Sequence, residues 1–166
     1  MTPVPKTIRQ IDAHGPTPPG ARIAIVVSRY NQWITDALVA GALETVARRA
    51  PDATVDVVGV PGAFEIVAAA GAAAHSGVYD AIVALGCIIK GETSHDHHLA
   101  SAVTTSLARI SAGEGRPGAI PVGLGVLTVD SAAQAESRAG GVHGNKGSEA
   151  MDAALDMVIV LRRMLG

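Results

Sequence analysis

The chain has 166 residues, 48% of them hydrophobic and only 2% aromatic, which is typical of one domain with a core of aliphatic side chains. Its formal net charge of -2 excludes the general basic field that attracts nucleic acid or an anionic membrane. The single cysteine, the lack of a long apolar run and an N-terminus without an apolar core predict a cytoplasmic protein with no disulfide.

Apolar strands and amphipathic helices alternate along most of the chain. Residues 1–20 hold five of the nine prolines, so they are predicted to form an extended arm rather than a helix. Residues 21–166 are predicted to form a single domain with strands at 22–28, 54–60, 80–89 and 120–128, helices near 35–49, 63–76, 95–112 and 132–139, a glycine-rich loop at 140–147 and a last helix. This alternation predicts a three-layer, flavodoxin-like α/β fold, whose four-stranded parallel sheet has the order 2-1-3-4 and helices on both faces.

The last helix carries its apolar residues on one face. The members of this face are Met151, Leu155, Val158, Leu161 and Leu165, which recur at helical spacing. This pattern is typical of an amphipathic helix.

One turn at the carboxyl edge of the sheet has the features of a phosphate site. Ligands of open α/β sheets bind at this edge, and the turn over 86–98 (GCIIKGETSHDHH) lies there. Thr93 and Asp96 have the spacing of a capping box, so a helix is predicted to start at Thr93. A helix start offers free N–H groups and partial positive charge to a phosphate. The alternative is a capped loop without a ligand.

The same turn contains a cysteine and three histidines with several possible roles. His95, His97 and His98 suggest a metal site, but only His95 and His98 share a helix face and no further ligand follows at the usual spacing. No metal is therefore expected; His97 is expected to be solvated and either His95 or His98 to be functional. Cys87 could be a nucleophile, but its apolar neighbours favour a buried core residue.

Aromatic and basic side chains mark the other turns. Tyr30, Trp33 and Phe64 lie in or near two edge turns, where they could stack on a flat heterocycle or anchor a loop or a subunit contact. Glu65 could accept hydrogen bonds from ligand hydroxyls, or pair with a helix start. A basic group beside the glycine-rich loop would suit a phosphate, or it could be a solvated helix end; its members are Arg138, His143 and Lys146.

Five motifs in order carry a resemblance to a known family. They are SRYN (28–31), PGAFEI (61–66), GCIIKGETSH (86–95), GVLT (125–128) and RAGGVHGNKG (138–147). Together they resemble lumazine synthase, over nearly everything from Arg22 to Gly166. The resemblance implies an enzyme, a transferase of riboflavin biosynthesis, which condenses 5-amino-6-(D-ribitylamino)uracil with 3,4-dihydroxy-2-butanone 4-phosphate to 6,7-dimethyl-8-ribityllumazine. It implies no metal and no organic cofactor.

The resemblance also implies residue roles. His95 matches the proton donor and acceptor. The residues implied to bind ribitylaminouracil are Tyr30 for stacking, Ala63, Phe64 and Glu65 for the ribityl chain, Cys87, Ile88 and Ile89 for the uracil edge, and Leu124 against the heterocycle. The residues implied to bind the phosphate of the second substrate are Glu92, Thr93, Arg138 and Lys146.

The sequence departs from the family pattern in three places, and the departures at His97 and Leu124 motivate an alternative function. Ser94 stands where proline is usual, and Leu124 offers no ring where an aromatic is usual. Asp96-His97-His98 replaces an aromatic-acid-aromatic run, so His97 stands where a carboxylate is expected to orient His95, and Asp96 or His98 could compensate. The alternative is a non-catalytic flavin- or lumazine-binding protein, or a scaffold, with the same fold.

The resemblance further implies a homo-oligomer. Family members form pentamers with active sites between neighbouring subunits, and some close into icosahedral shells. The arm over residues 1–20 is expected to add a strand to a neighbour's sheet, because prolines suit an edge position. The short loop over 139–144 favours the shell. The protein is expected to bind two small-molecule substrates and to have no nucleic acid or membrane partner.

Overall fold

The computed structural model describes residues 7–166, so the first six residues of the predicted arm lie outside the described residues. Within the described residues, the main strands are β1 (Arg22–Ser28), β2 (Thr54–Val60), β3 (Ala81–Ile89) and β4 (Val122–Val129). The helices there are α1 (Gln32–Arg49), α2 (Ala63–Ser76), α3 (His95–Ala112), α4 (Ala132–Arg138) and α5 (Lys146–Leu165). No helix in this part of the chain combines the length and the apolar character needed to cross a bilayer.

The four main strands form one parallel sheet in the order β2-β1-β3-β4, which confirms the predicted topology. Each strand sends alternate side chains to opposite faces. In β3, for example, Val83 and Leu85 enter a core with α1, α4 and α5, whereas Ile82 and Ala84 enter a second core with α2 and α3. The continuous apolar runs are therefore explained by helices that cover both faces of the sheet.

Two predicted element boundaries are wrong for local reasons. Helix α1 begins at Gln32 and not near residue 35, because Asn31 takes a left-handed conformation (φ 58°) that turns the chain directly into the helix. Strand β4 begins at Val122 and not at residue 120. Pro121 precedes it, and proline has no N–H to donate to a strand ladder.

The glycine-rich segment is not the loop that the sequence predicts. It forms two short antiparallel strands, β5 (Ala139–Gly141) and β6 (Gly144–Asn145), and α5 begins directly afterwards. Helix α5 also extends beyond the core, so Leu165 is 79% exposed although Met151, Leu155 and Val158 are buried.

Asn145 joins α1 to α5 at the start of α5. Its side-chain Oδ1 accepts hydrogen bonds from the N–H groups of Gly147 (2.8 Å) and Ser148 (3.2 Å), which caps the helix. Its Nδ2 donates to the Ala37 carbonyl in α1 at 2.8 Å. A Cβ added at Gly41 would collide with the Asn145 side chain, so the two helices approach closely because residue 41 has no side chain.

Replacing Gly41 by alanine is expected to destabilise the fold by about 2 kcal/mol, because overpacking costs about 1–3 kcal/mol. Gly71→Ala is the matched control, since Gly71 also lies inside a helix and its added Cβ would meet only the Ile110 side chain at 3.9 Å. That control should gain about 0.5–1 kcal/mol from helix propensity. Urea unfolding measures both changes. Equal changes in unfolding free energy for the two substitutions would contradict a close approach of α1 and α5 at Gly41. An undiminished destabilisation by Gly41→Ala in an Asn145→Ala background would contradict it as well.

The segment over residues 7–20 contains neither helix nor strand. Its Gly20 N–H donates to the Asp52 carboxylate at 2.8 Å, and residues 9–14 contact the end of α5. Arg163 donates to the Asp12 carbonyl at 2.9 Å and to the His14 carbonyl, and Arg9 donates to the Arg163 carbonyl at 2.6 Å. The pairing of this arm with a neighbouring sheet stays a prediction.

Candidate active site

A pocket of about 480 Å³ opens at the carboxyl ends of β1 and β3, a volume typical of small-molecule sites. It brings together nine of the residues predicted to form the site: Tyr30, Ala63, Phe64, Glu65, Cys87, Ile88, Ile89, Thr93 and His95. The remaining lining residues are Gly62, Gly91, Asp96 and Leu99. Residues from three separate turns therefore face one volume, as the rule for open α/β sheets requires.

The turn after β1 holds Tyr30 over this pocket. The Tyr30 N–H donates to the Pro61 carbonyl at 3.2 Å, and the Asn31 Nδ2 donates to the Cys87 carbonyl at 2.9 Å. Asn31 is the only non-glycine residue with positive φ among residues 7–166, and asparagine tolerates this conformation better than most residues. Tyr30 itself is 72% exposed, so its ring is free to cover a ligand.

The start of α2 forms a second wall of the pocket. Ala63 is buried and Phe64 is exposed, so the phenyl ring lies at the surface of the site. The Glu65 carboxylate folds back over the helix start, where a Cβ at Gly62 would lie 2.9 Å from its Oε2. A carboxylate in the first turn is stabilised by the helix dipole, and its oxygens remain acceptors for ligand hydroxyls.

The turn after β3 differs from the capping box predicted for Thr93 and Asp96. Helix α3 begins at His95 with Ser94 as its N-cap, and the Ser94 side chain makes no capping hydrogen bond. The Thr93 hydroxyl accepts from the His95 N–H at 3.4 Å, while Asp96 is buried. The capping prediction is therefore wrong, although the helix start itself lies at the pocket. A helix start remains a place where N–H groups attract an anion.

Cys87 is a buried residue, 2% exposed, in the core between the sheet and α1. Burial raises the pKa of its thiol to about 11, because a thiolate is poorly solvated there. The thiol is therefore protonated at neutral pH and is a weak nucleophile. The preference for a core residue over a nucleophile agrees with this environment.

Cys87→Ala is expected to keep kcat and both KM values within about twofold, because Asn31 contacts the Cys87 carbonyl and the buried thiol stays protonated at neutral pH. The Asn31 hydrogen bond to that carbonyl does not depend on the side chain. Steady-state kinetics and thiol alkylation at neutral pH provide the measurements. Loss of turnover in a folded variant, or rapid inactivation by the alkylating agent, would favour a nucleophilic cysteine.

Four predicted site residues do not line the pocket of their own chain. They are Glu92, Leu124, Arg138 and Lys146. Leu124 is 53% exposed on the edge strand β4. Arg138 donates from Nη1 to the Gln134 carbonyl and to the Ser137 hydroxyl, both at 3.1 Å, and the Lys146 Nζ pairs with Glu149 at 2.6 Å.

The histidine-rich start of α3 does not gather metal ligands. Among residues 7–166, no three His, Cys, Asp or Glu side chains come together as a metal site would require. His95, His97 and His98 are all exposed, but of the three only His95 lines the pocket. The geometry thus separates His95 from its two neighbours.

Sequence reasoning missed two residues at this site. Asn31 was part of a motif without a role, although an asparagine in a tight turn is a common signal of left-handed backbone. Asp96 is predicted as part of a cap or as a substitute for the carboxylate that orients His95, and no sequence signal distinguishes a buried carboxylate from an exposed one in the first turn of a helix.

A flavodoxin-like sheet with a substrate-sized pocket at its carboxyl edge defines an α/β enzyme that acts on small molecules. The family model for 6,7-dimethyl-8-ribityllumazine synthase matches residues 20–162. Relatives named 6,7-dimethyl-8-ribityllumazine synthase from Xylella fastidiosa strains M12, M23 and Temecula1 are each 47% identical over 148 residues, which is 89% of this chain and 94% of theirs. The chain belongs to the 6,7-dimethyl-8-ribityllumazine synthase family, a family of transferases in riboflavin biosynthesis. None of these names supports the non-catalytic alternative.

Proposed function

We propose that the pocket condenses 5-amino-6-(D-ribitylamino)uracil with 3,4-dihydroxy-2-butanone 4-phosphate to give 6,7-dimethyl-8-ribityllumazine, phosphate and water. The observation that carries this proposal is the convergence of Tyr30, the start of α2 and His95 on one volume. An aromatic ring, a carboxylate and an imidazole match a heterocycle, a polyol chain and a proton transfer, respectively.

The substrates are proposed to lie side by side along the pocket. Tyr30 stacks on the pyrimidine, and the backbone of Cys87, Ile88 and Ile89 hydrogen-bonds to its edge. The Glu65 carboxylate accepts hydrogen bonds from ribityl hydroxyls. Holding two reactants in register supplies most of the rate enhancement in such a reaction.

The chemical steps need one proton shuttle. The 5-amino group of the pyrimidine attacks the ketone and forms a Schiff base with loss of water, and phosphate is then eliminated. The ribitylamino nitrogen attacks the carbonyl that results and closes the ring with loss of a second water. His95 is proposed to accept and return the protons, and its position at the first turn of α3 and at the pocket wall supports this role. The Thr93 hydroxyl and the Glu92-Thr93 backbone hold the phosphate beside it.

We infer that a neighbouring subunit completes each site. Leu124, Arg138 and Lys146 do not line the pocket of their own chain, and Leu124 is an exposed apolar residue on an edge strand. An interface would bury Leu124 against the heterocycle and bring Arg138, with Lys146, to the phosphate. A pentameric ring repeats this head-to-tail contact around a closed circle.

The arm over residues 1–20 is proposed to cover the opposite edge of a neighbour's sheet. Strand β2 is an edge strand, and its Val57 and Val58 are exposed. Proteins normally cover an exposed apolar edge, because its free backbone groups pair with other strands. Sedimentation of the full chain and of a chain without residues 1–20 tests this role, and an unchanged assembly would contradict it.

A cytoplasmic location is proposed from the chemistry of the chain. Its lone cysteine forms no disulfide and is buried, which suits a reducing compartment. Cell fractionation checks this assignment.

The direct test mixes both substrates with the purified protein and records lumazine absorbance against the uncatalysed reaction. We expect turnover that depends on both substrates and releases one phosphate for each lumazine. Binding of both ligands without acceleration would end the proposed activity and favour a binding protein. Pyrimidine without the phosphorylated partner is the blank.

A further inference from the structure

Asp96 is an unpaired carboxyl group inside the wall of the pocket. The residue is 7% exposed, and its Oδ1 is buried without a hydrogen-bond partner. No ion pair of the described residues 7–166 involves this carboxylate, so it does not hold the imidazole of His95 or of the histidines that follow. A buried acceptor that is left unpaired is costly, and such a group points to a missing partner.

The position of Asp96 on α3 decides which part of the pocket it faces. Asp96, Val103 and Leu107 are the buried residues of this helix, and they recur at helical spacing. Val103 and Leu107 pack in the core that contains Ala63 and Ile66 of α2. Asp96 therefore continues the same buried stripe into the pocket, toward the wall formed by the start of α2.

The chemistry of a carboxylate selects the partner. It offers acceptor oxygens and, when ionised, negative charge. A phosphate group also offers only acceptor oxygens and negative charge, so it is repelled by a carboxylate and is excluded as the partner. A polyol offers hydroxyl donors, and the wall at Ala63, Phe64 and Glu65 is the one assigned above to the ribityl chain.

We propose that Asp96 is a substrate-binding residue whose Oδ1 accepts a hydrogen bond from a hydroxyl of the ribityl chain. This inference rests on the proposed placement of that chain against α2. It makes Asp96 a second carboxylate for the polyol, on the opposite helix from Glu65. The two carboxylates then select a hydroxylated side chain over a plain alkyl chain, because the alkyl chain would leave both acceptors unpaired.

The test combines a side-chain replacement with a truncated ligand. Asp96→Leu keeps the volume and removes the acceptor, and it is expected to raise the KM for ribitylaminouracil about tenfold while the KM for the butanone phosphate changes less than about twofold. An aminouracil with a plain alkyl chain of the same length should bind the wild type and Asp96→Leu equally, as measured by calorimetry. Asp96→Asn retains an oxygen acceptor and should stay within about threefold of the wild type.

The melting temperature of Asp96→Leu distinguishes a binding role from a structural role, because loss of a structural contact would lower it. Removing an unpaired buried acceptor should leave the melting temperature unchanged or raise it. Asp36→Leu makes the same change at an exposed position of α1 and should alter neither KM. A lower melting temperature, a smaller assembly, or equal loss of affinity for both ligands would overturn the proposal, because each indicates a structural partner.

The calorimetric binding measurements test the role of Asp96 independently of the proposed reaction. If the wild type bound ribitylaminouracil but made no lumazine, the proposed activity would fail, and the affinity difference between the two ligands would still decide the role of Asp96. If the wild type turned over normally and Asp96→Leu left the KM for ribitylaminouracil unchanged, only this inference would fail.

Discussion

Arg138→Ala is expected to raise the KM for 3,4-dihydroxy-2-butanone 4-phosphate about a hundredfold, and the KM for ribitylaminouracil less than about threefold. Truncating one partner of a hydrogen-bonded charge pair costs about 2–5 kcal/mol, and each 1.4 kcal/mol is about tenfold in affinity. The Nη1 bonds to Gln134 and Ser137 hold the guanidinium at the end of α4, so little entropy is lost when it binds phosphate. Steady-state kinetics with each substrate varied in turn measures the split.

Two further variants sharpen this result. Arg138→Lys keeps the charge but loses the planar fork, so its effect should be intermediate. Lys146→Ala should have a smaller effect than Arg138→Ala, because the Lys146 Nζ already pairs with Glu149 at 2.6 Å. Equal increases in both KM values for Arg138→Ala would contradict a role specific to phosphate.

The sheet and its topology follow from the sequence because their signals are strong. Runs such as RIAIVVS (22–28) are apolar throughout, and only a strand covered on both faces buries every residue of such a run. The bounds of α2 and α3 agree with the predicted 63–76 and 95–112, since glycine follows each helix and small or polar residues precede it. The order of the strands then follows from short right-handed crossovers.

The details that escaped prediction depend on single residues. The earlier start of α1 needs the left-handed Asn31, and hydrophobic periodicity carries no information about that conformation. The start of α5 could have been found, because Asn145 before a helix is a standard N-cap. The burial of Asp96 could not, because its burial depends on how α3 packs against α2 and not on its neighbours in sequence.

The sequence also does not predict which site residues line the pocket of their own chain and which lie outside it. Sequence motifs place Tyr30, His95 and Arg138 on turns, but they give no distances between those turns. The structure places Tyr30 and His95 at one pocket and leaves Arg138 outside it. Motif order therefore predicts which residues act, whereas the pocket decides which of them can act within one subunit.

His95→Asn is expected to lower kcat about a hundredfold, the usual contribution of a proton-transfer group, with both KM values within about threefold. Asparagine keeps the size and one hydrogen bond of the side chain but cannot carry a proton. Activity should remain above the uncatalysed rate, because the pocket still holds both substrates in register. His97→Gln and His98→Gln are matched controls at exposed neighbouring positions and should leave kcat nearly unchanged.

Mixing the two defective proteins tests whether these roles belong to one site made by two subunits. If His95 comes from one subunit and Arg138 from the next, oligomers reassembled from equal amounts of His95→Asn and Arg138→Ala contain interfaces in which both residues are intact. Random mixing around a head-to-tail ring restores roughly a quarter of the sites. Activity at saturating pyrimidine and low butanone phosphate should therefore rise well above that of either parent. If both residues served the same subunit's pocket, no mixture would create an intact site, and the activity would stay at the average of the two parents.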